Sequence, residues 1–120
     1  MRYRVAVTDG EDDMQAAVGK AIELAGGFLP REGSLIAIKP NLCSGKLPPE
    51  TGATTRPEVV EGIINYIYAH SKECTIQIIE GDSDTSAEEA FRRLGYVDLA
   101  KKYDAELVNV SRDRVIKVLP

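Results

Sequence analysis

Apolar runs rich in Val and Ile alternate, along nearly the whole chain, with stretches whose apolar residues recur at helical spacing. That alternation constrains the fold most, because strands that alternate with helices assemble into a parallel sheet with helices on its faces. Tyr3–Val7 reads as a first strand. Met14, Ala17, Val18, Ala21, Ile22 and Ala25 then follow the i, i+3, i+4 rule, and Gly26 and Gly27 supply a helix stop. Leu35–Ile38 is a second strand, and Val59, Val60, Ile63, Ile64 and Ile67 line one face of a second helix. Thr55 and Glu58 have capping-box spacing around Pro57, which suits a first helical turn. Thr75–Ile79 is a third strand, and Ser86 with Glu89 caps a third helix carrying Ala90, Phe91 and Leu94 before Gly95. A short helical patch through Leu99 and Ala100 precedes two more strands, Glu106–Val110 and Val115–Leu119. The expected class is α/β, a Rossmann-like three-layer sandwich whose mainly parallel sheet is flanked by helices. The last strand can pair antiparallel at an edge. A chain of 120 residues, 43% of them hydrophobic, buries one modest core, so a single domain over 1–120 is expected.

Charge and cysteine usage narrow the function classes. A net charge of -4 repels a phosphate backbone, which argues against nucleic acid and against an anionic membrane surface. No apolar run approaches the roughly 20 residues of a membrane span, and Met1–Val5 enters a strand pattern without a signal-peptide profile, so a cytoplasmic location is expected. Cys43 and Cys74 are far apart and give no zinc spacing, redox pair or disulfide framework.

In open α/β sheets, ligands collect beyond the carboxyl ends of the strands. Three such ends are polar here: Thr8-Asp9-Gly10, Lys39-Pro40-Asn41, and Glu80-Gly81-Asp82-Ser83-Asp84-Thr85-Ser86. The second is followed by about fifteen residues of loop before a helix, where strand-to-helix loops usually take roughly 2 to 6. So long a loop suggests a cover over the ligand edge.

The segments "IAIKPNLC", "GATTRPEVVEGII", "IQIIEGDS" and "AFRRLGYVDLAKKYDAELVNVSRDRVIKV" resemble, in order and spacing, the first part of the family called domain of unknown function 362. The most specific elements are Lys39-Pro40-Asn41 with Gly52-Ala53-Thr54-Thr55-x-Pro57, then Gly95-Tyr96 leading into Leu99-Ala100. The resemblance implies an α/β protein of bacteria and archaea, often joined to ferredoxin-like iron-sulfur modules, with no settled reaction. Members are usually longer, so it also implies an N-terminal portion of a larger architecture. An iron-sulfur cluster in this chain is not expected, because a ferredoxin cluster takes four cysteines and the sequence has two.

Lys39 is the candidate catalytic residue: an ammonium at a strand end can neutralise an anionic substrate, or act as a base or Schiff-base amine when desolvated. Asn41 can orient a carbonyl or phosphate, or bridge its own loop. Gly52, Ala53, Thr54 and Thr55 can let an anion approach the helix start, where free amides and the positive dipole end face it, and Arg56 adds a bidentate donor. Asp9, Glu80, Asp82 and Ser83 complete the candidate ligand set, with magnesium as an option on the oxygen-rich turn. Lys46 follows a Gly but leads into Leu47-Pro48-Pro49 and not a helix, so this is no P-loop, and no Gly-x-Gly-x-x-Gly occurs. The twelfth position from Asp82 is Arg93, which excludes an EF-hand. His70, the single histidine, falls at the end of the second helix, away from any nucleophile in sequence. Two functions emerge. One is binding, with or without catalysis, of an anionic small molecule such as a phosphorylated metabolite, nucleotide or carboxylate. The other is a non-catalytic module that presents the Pro-rich loop to an iron-sulfur partner or to a second copy of itself.

Overall fold

The computed structural model describes residues 3–118. Within them lie helix α1 (Met14–Ala25), strand β1 (Leu35–Ile38), helix α2 (Pro57–His70), strand β2 (Thr75–Glu80), helices α3 (Ala87–Arg93) and α4 (Tyr96–Tyr103), and strand β3 (Glu106–Asn109). The strands form one sheet in the order β1-β2-β3, and both pairings are parallel. Ile38 lies opposite Ile78, and Ile78 opposite Leu107, so one face presents an aliphatic stripe across all three strands. The α/β class, the parallel sheet and its flanking helices are as the sequence implies.

The stripe explains the core. Ile36, Ile38, Ile76, Ile78 and Leu107 pack against Val60, Ile64 and Ile67 of α2, Ala87, Ala90 and Phe91 of α3, and Tyr96 and Leu99 of α4. Residues of the opposite face behave differently: Leu35, Ala37, Thr75 and Glu106 are exposed, while Gln77, Ile79 and Val108 are half-buried. Helix α1 packs on α2, and Gly62 allows the close approach. A Cβ there would lie 2.8 Å from the Cβ of Val18 and 3.1 Å from the Cα of Gln15.

Helix ends follow local chemistry. Asp13 caps α1 by accepting from the Ala16 amide, and Gly26 closes it. Ser86 caps α3 through the Glu89 amide, as its spacing indicates. Gly95, at φ 85°, makes the turn from α3 into α4.

Three expectations fail. Tyr3–Val7 makes no strand, and Tyr3, Val5 and Val7 stand exposed. Alternation alone supplies no partner, and Thr8 instead donates to the Ala17 carbonyl of α1. Val115–Val118 likewise forms no strand and is exposed, and Leu119 lies outside the described residues, so no antiparallel edge pair is seen among those described. The Thr55 capping box is not made either. The Thr55 hydroxyl accepts from the Asn41 amide, and Arg56, which contributes no side-chain cap, occupies the N-cap position.

Candidate functional site

The long loop is tied at its neck. Asn41 and Thr55 exchange two hydrogen bonds: the Thr55 amide donates to the Asn41 carbonyl at 2.9 Å, and the Asn41 amide donates to Thr55 Oγ1 at 3.0 Å. Asn41 Nδ2 and Cys43 Sγ both reach the Ala53 carbonyl, at 3.3 Å each. Above that neck, Leu42 is sunk into the core, and Ser44 and Gly45 are buried against α3. The hydroxyl of Tyr96, itself fully buried, donates to the Thr55 carbonyl at 2.8 Å. Burial and the negative charges of Glu58 and Glu80 push the Tyr96 phenol up, so it remains a neutral donor at working pH. Only the stretch from Lys46 to Gly52, which includes a short 3-10 turn at Pro49–Thr51, stands out from the body.

At the root of the loop, Lys39 and Glu80 are neighbours across the ends of β1 and β2. Lys39 Nζ lies 2.8 Å from Glu80 Oε1 and also donates to the Pro40 carbonyl at 3.2 Å. Glu80 is buried, and its two oxygens accept from the Leu42 amide at 2.8 Å and the Gly81 amide at 2.9 Å. Burial alone would raise its carboxyl, but the Lys39 ammonium and those two amides outweigh it and hold the group below its usual range. The pair is therefore charged and internally satisfied.

The turn after β2 forms a second network, closed except at the Thr85 hydroxyl, which is buried and has no hydrogen-bond partner. Asp82 Oδ1 accepts from the Ala87 amide at 2.9 Å and from Asn109 Nδ2 at 2.8 Å, contacts that lower its carboxyl. Asp84 Oδ2 accepts from Ser44 at 2.8 Å and lies 3.7 Å from Lys46 Nζ, and Ser83 donates to the Cys43 carbonyl. The acidic side chains after β2 thus brace the loop and β3. Among the described residues, no three His, Cys, Asp or Glu side chains converge as a metal site. Asp9, exposed, accepts from the Glu11 amide in a turn before α1, and the strand meant to carry it to the sheet edge is absent.

The start of α2 carries a second orphaned hydroxyl. Thr54 is 5% exposed, and its hydroxyl has no hydrogen-bond partner although it lies three residues before the first helical residue. Such an orphan costs roughly 1–3 kcal/mol and is uncommon in native folds. Arg56 is exposed and makes no ion pair among the described residues. An open cleft of about 410 Å³ adjoins it, lined by Glu50, Arg56, Pro57, Glu58, Arg93 and Gly95, with Arg93 already paired to Glu89. Sequence reasoning placed Thr54, Thr55 and Arg56 correctly at a helix start but missed Tyr96 and Leu42, which hold that start in position. An isolated leucine inside a polar loop was the available signal for Leu42.

The model of the family described as Domain of unknown function (DUF362) matches residues 36–119. The chain belongs to the DUF362 family. No curated protein and no solved structure matches it. The DUF362 match takes in the loop, the α2 start and both charged strand ends, and it begins after Asp9 and α1.

Proposed function

We propose that this DUF362 domain binds an anionic small molecule at the carboxyl edge of its sheet, in the cleft at the start of α2. The observation that carries the reading is the buried, unpartnered hydroxyl of Thr54 beside a helix start that no side chain caps. Pro57 has no N–H and the Val59 amide donates to the Arg56 carbonyl, so the attraction rests on the positive dipole end of α2, which favours a carboxylate or phosphate, and on Arg56, whose guanidinium is not already committed to a carboxylate. Glu50 and Glu58, on the same cleft, accept hydrogen bonds, so the ligand combines its anionic group with hydroxyl or amino donors, as phosphorylated metabolites, nucleotides and many carboxylates do. A volume of about 410 Å³ is in the range of metabolite sites.

Lys39 enters this reading as the charge that holds Glu80 and the loop root, with its half-exposed ammonium adding positive potential at the edge. Asn41 and Thr55 shape the neck, and Asp82 and Ser83 brace it. The cytoplasm is the proposed compartment, since an exposed free Cys43 suits reducing surroundings. Among the described residues, no helix is long and apolar enough to cross a membrane. A second reading, a contact surface for an iron-sulfur partner, is favoured by one observation, the exposure of Leu47 at the loop tip beside Pro48.

The test is thermal stabilisation by a panel of nucleotides, sugar phosphates and carboxylates, with and without magnesium. A hit should weaken at least about tenfold in Arg56→Ala, whose exposed side chain can be removed without unfolding the domain. A hit indifferent to Arg56 contradicts the proposal, as does silence across the panel.

A further inference from the structure

Strand β1 hydrogen-bonds only to β2, so among the described residues its outer edge is unpaired. Apart from its shortness, at four residues, the edge carries no guard within the strand. It has no proline, bulge or lysine within Leu35–Ile38, and Leu35 is 61% exposed on it. A groove of about 430 Å³ runs beside it, lined by Phe28, Leu29, Pro30, Leu35 and Ala37. Elsewhere in the same chain, Tyr3, Val5 and Val7 alternate at strand period and are 86%, 90% and 89% exposed. Their own sheet does not hold them, and Thr8, which follows, donates to the Ala17 carbonyl of α1 at 2.8 Å.

We infer that two copies of this chain associate by reciprocal strand addition, Tyr3–Val7 of each lying along the free β1 edge and groove of the other. An edge strand recognises an extended segment through main-chain hydrogen bonds, and alternate side chains fill the adjoining groove. Exchange of Tyr3–Val7 for Tyr3–Val7 onto the β1 edges closes as a two-fold dimer and leaves neither that segment nor that edge unpaired. Burial of Tyr3, Val5, Val7, Phe28, Leu29 and Leu35 removes on the order of 800 Å² per copy, the share of a standard stable interface. This inference is independent of the anion site, which lies at the start of α2.

Light scattering and sedimentation of the full chain over a concentration series provide the test. The expected result is a dimer that dissociates on dilution. Val5→Lys with Val7→Lys should weaken association at least about tenfold while the far-ultraviolet dichroism stays the same, since both side chains are already solvent-exposed. Leu35→Lys should do likewise from the other half of the contact, and an equimolar mixture of the two variants should form a heterodimer through the one intact strand addition. A wild-type chain that is monomeric throughout overturns the inference, as does a dimer that persists in both variants. Loss of the dimer only in Val115→Lys with Val118→Lys would also overturn it, by moving the contact to the other apolar segment. Hydrogen-exchange protection of the 36–38 amides that is independent of concentration would overturn it by placing the added strand within one chain.

Discussion

At the residue scale, Glu80 and Lys39 are the pair on which the loop root depends. Breaking a fully buried ion pair costs about 3–5 kcal/mol, but Lys39 is half-exposed and Glu80 keeps two amide donors, so Lys39→Ala should cost about 1–2 kcal/mol in denaturant unfolding. That cost makes Lys39→Ala a poor probe of ligand binding, because lost stability and lost affinity would be confounded. The same pair sets a pH dependence. The folded carboxyl of Glu80 lies below its ordinary value of 4.5, so its contribution is complete above that pH and is lost as pH falls through the folded value. Unfolding free energies measured from pH 7 down to pH 3 should decline less steeply in Glu80→Gln than in the wild type. Equal slopes would mean that the carboxylate is not held as described. Tyr96→Phe removes the hydroxyl that donates to the Thr55 carbonyl and should cost about 0.5–1.5 kcal/mol, read from the denaturant midpoint at unchanged slope.

At the element scale, what holds the sheet is the match between aliphatic stripes and helix faces, and that much is legible in sequence. The i, i+3, i+4 pattern in Val60, Ile64 and Ile67 finds α2, and the Ile76–Ile78 alternation finds β2 with its buried face. Tyr3–Val7 and Val115–Val118 have the same alternation and form no strand in the described chain, because period 2 specifies a strand's two faces and leaves open which neighbour completes its hydrogen bonds. Thr55 misleads for a related reason. Its spacing to Glu58 fits a capping box, but a tertiary partner, the Asn41 amide, takes the hydroxyl first. Close packing of α1 on α2 yields a prediction at this scale. Gly62→Ala gains roughly 1 kcal/mol of helix propensity, yet the new Cβ meets the Cβ of Val18 and the Cα of Gln15, neither of which can swing aside. Overpacking of about 1–3 kcal/mol should win, and a stabilised variant in denaturant melts would show that the helices sit further apart.

At the scale of the whole molecule, the carboxyl edge of the sheet divides into two parts with different electrostatics. Around the ends of β1 and β2 the charges face each other, Lys39 with Glu80 and Lys46 with Asp84, and serve to fasten the loop. Around the start of α2 the Arg56 guanidinium is uncommitted among the described residues, and the buried Thr54 hydroxyl lacks a partner, as the Thr85 hydroxyl does after β2. The sequence located the edge and named Thr54, Thr55 and Arg56, since strand ends and helix starts can be read locally. It could not separate the fastened half from the open half, because which carboxylate meets which ammonium depends on pairings 38 to 41 residues apart, as in Lys46 with Asp84 and Lys39 with Glu80. The most direct measurement is a backbone-amide NMR titration with inorganic phosphate and with acetate, in wild type and Arg56→Ala. The account predicts shifts concentrated on Thr54 to Val59 that vanish in the variant. Shifts centred on Lys39 and Gly81–Ser83, or none at either helix start or strand end, would contradict it.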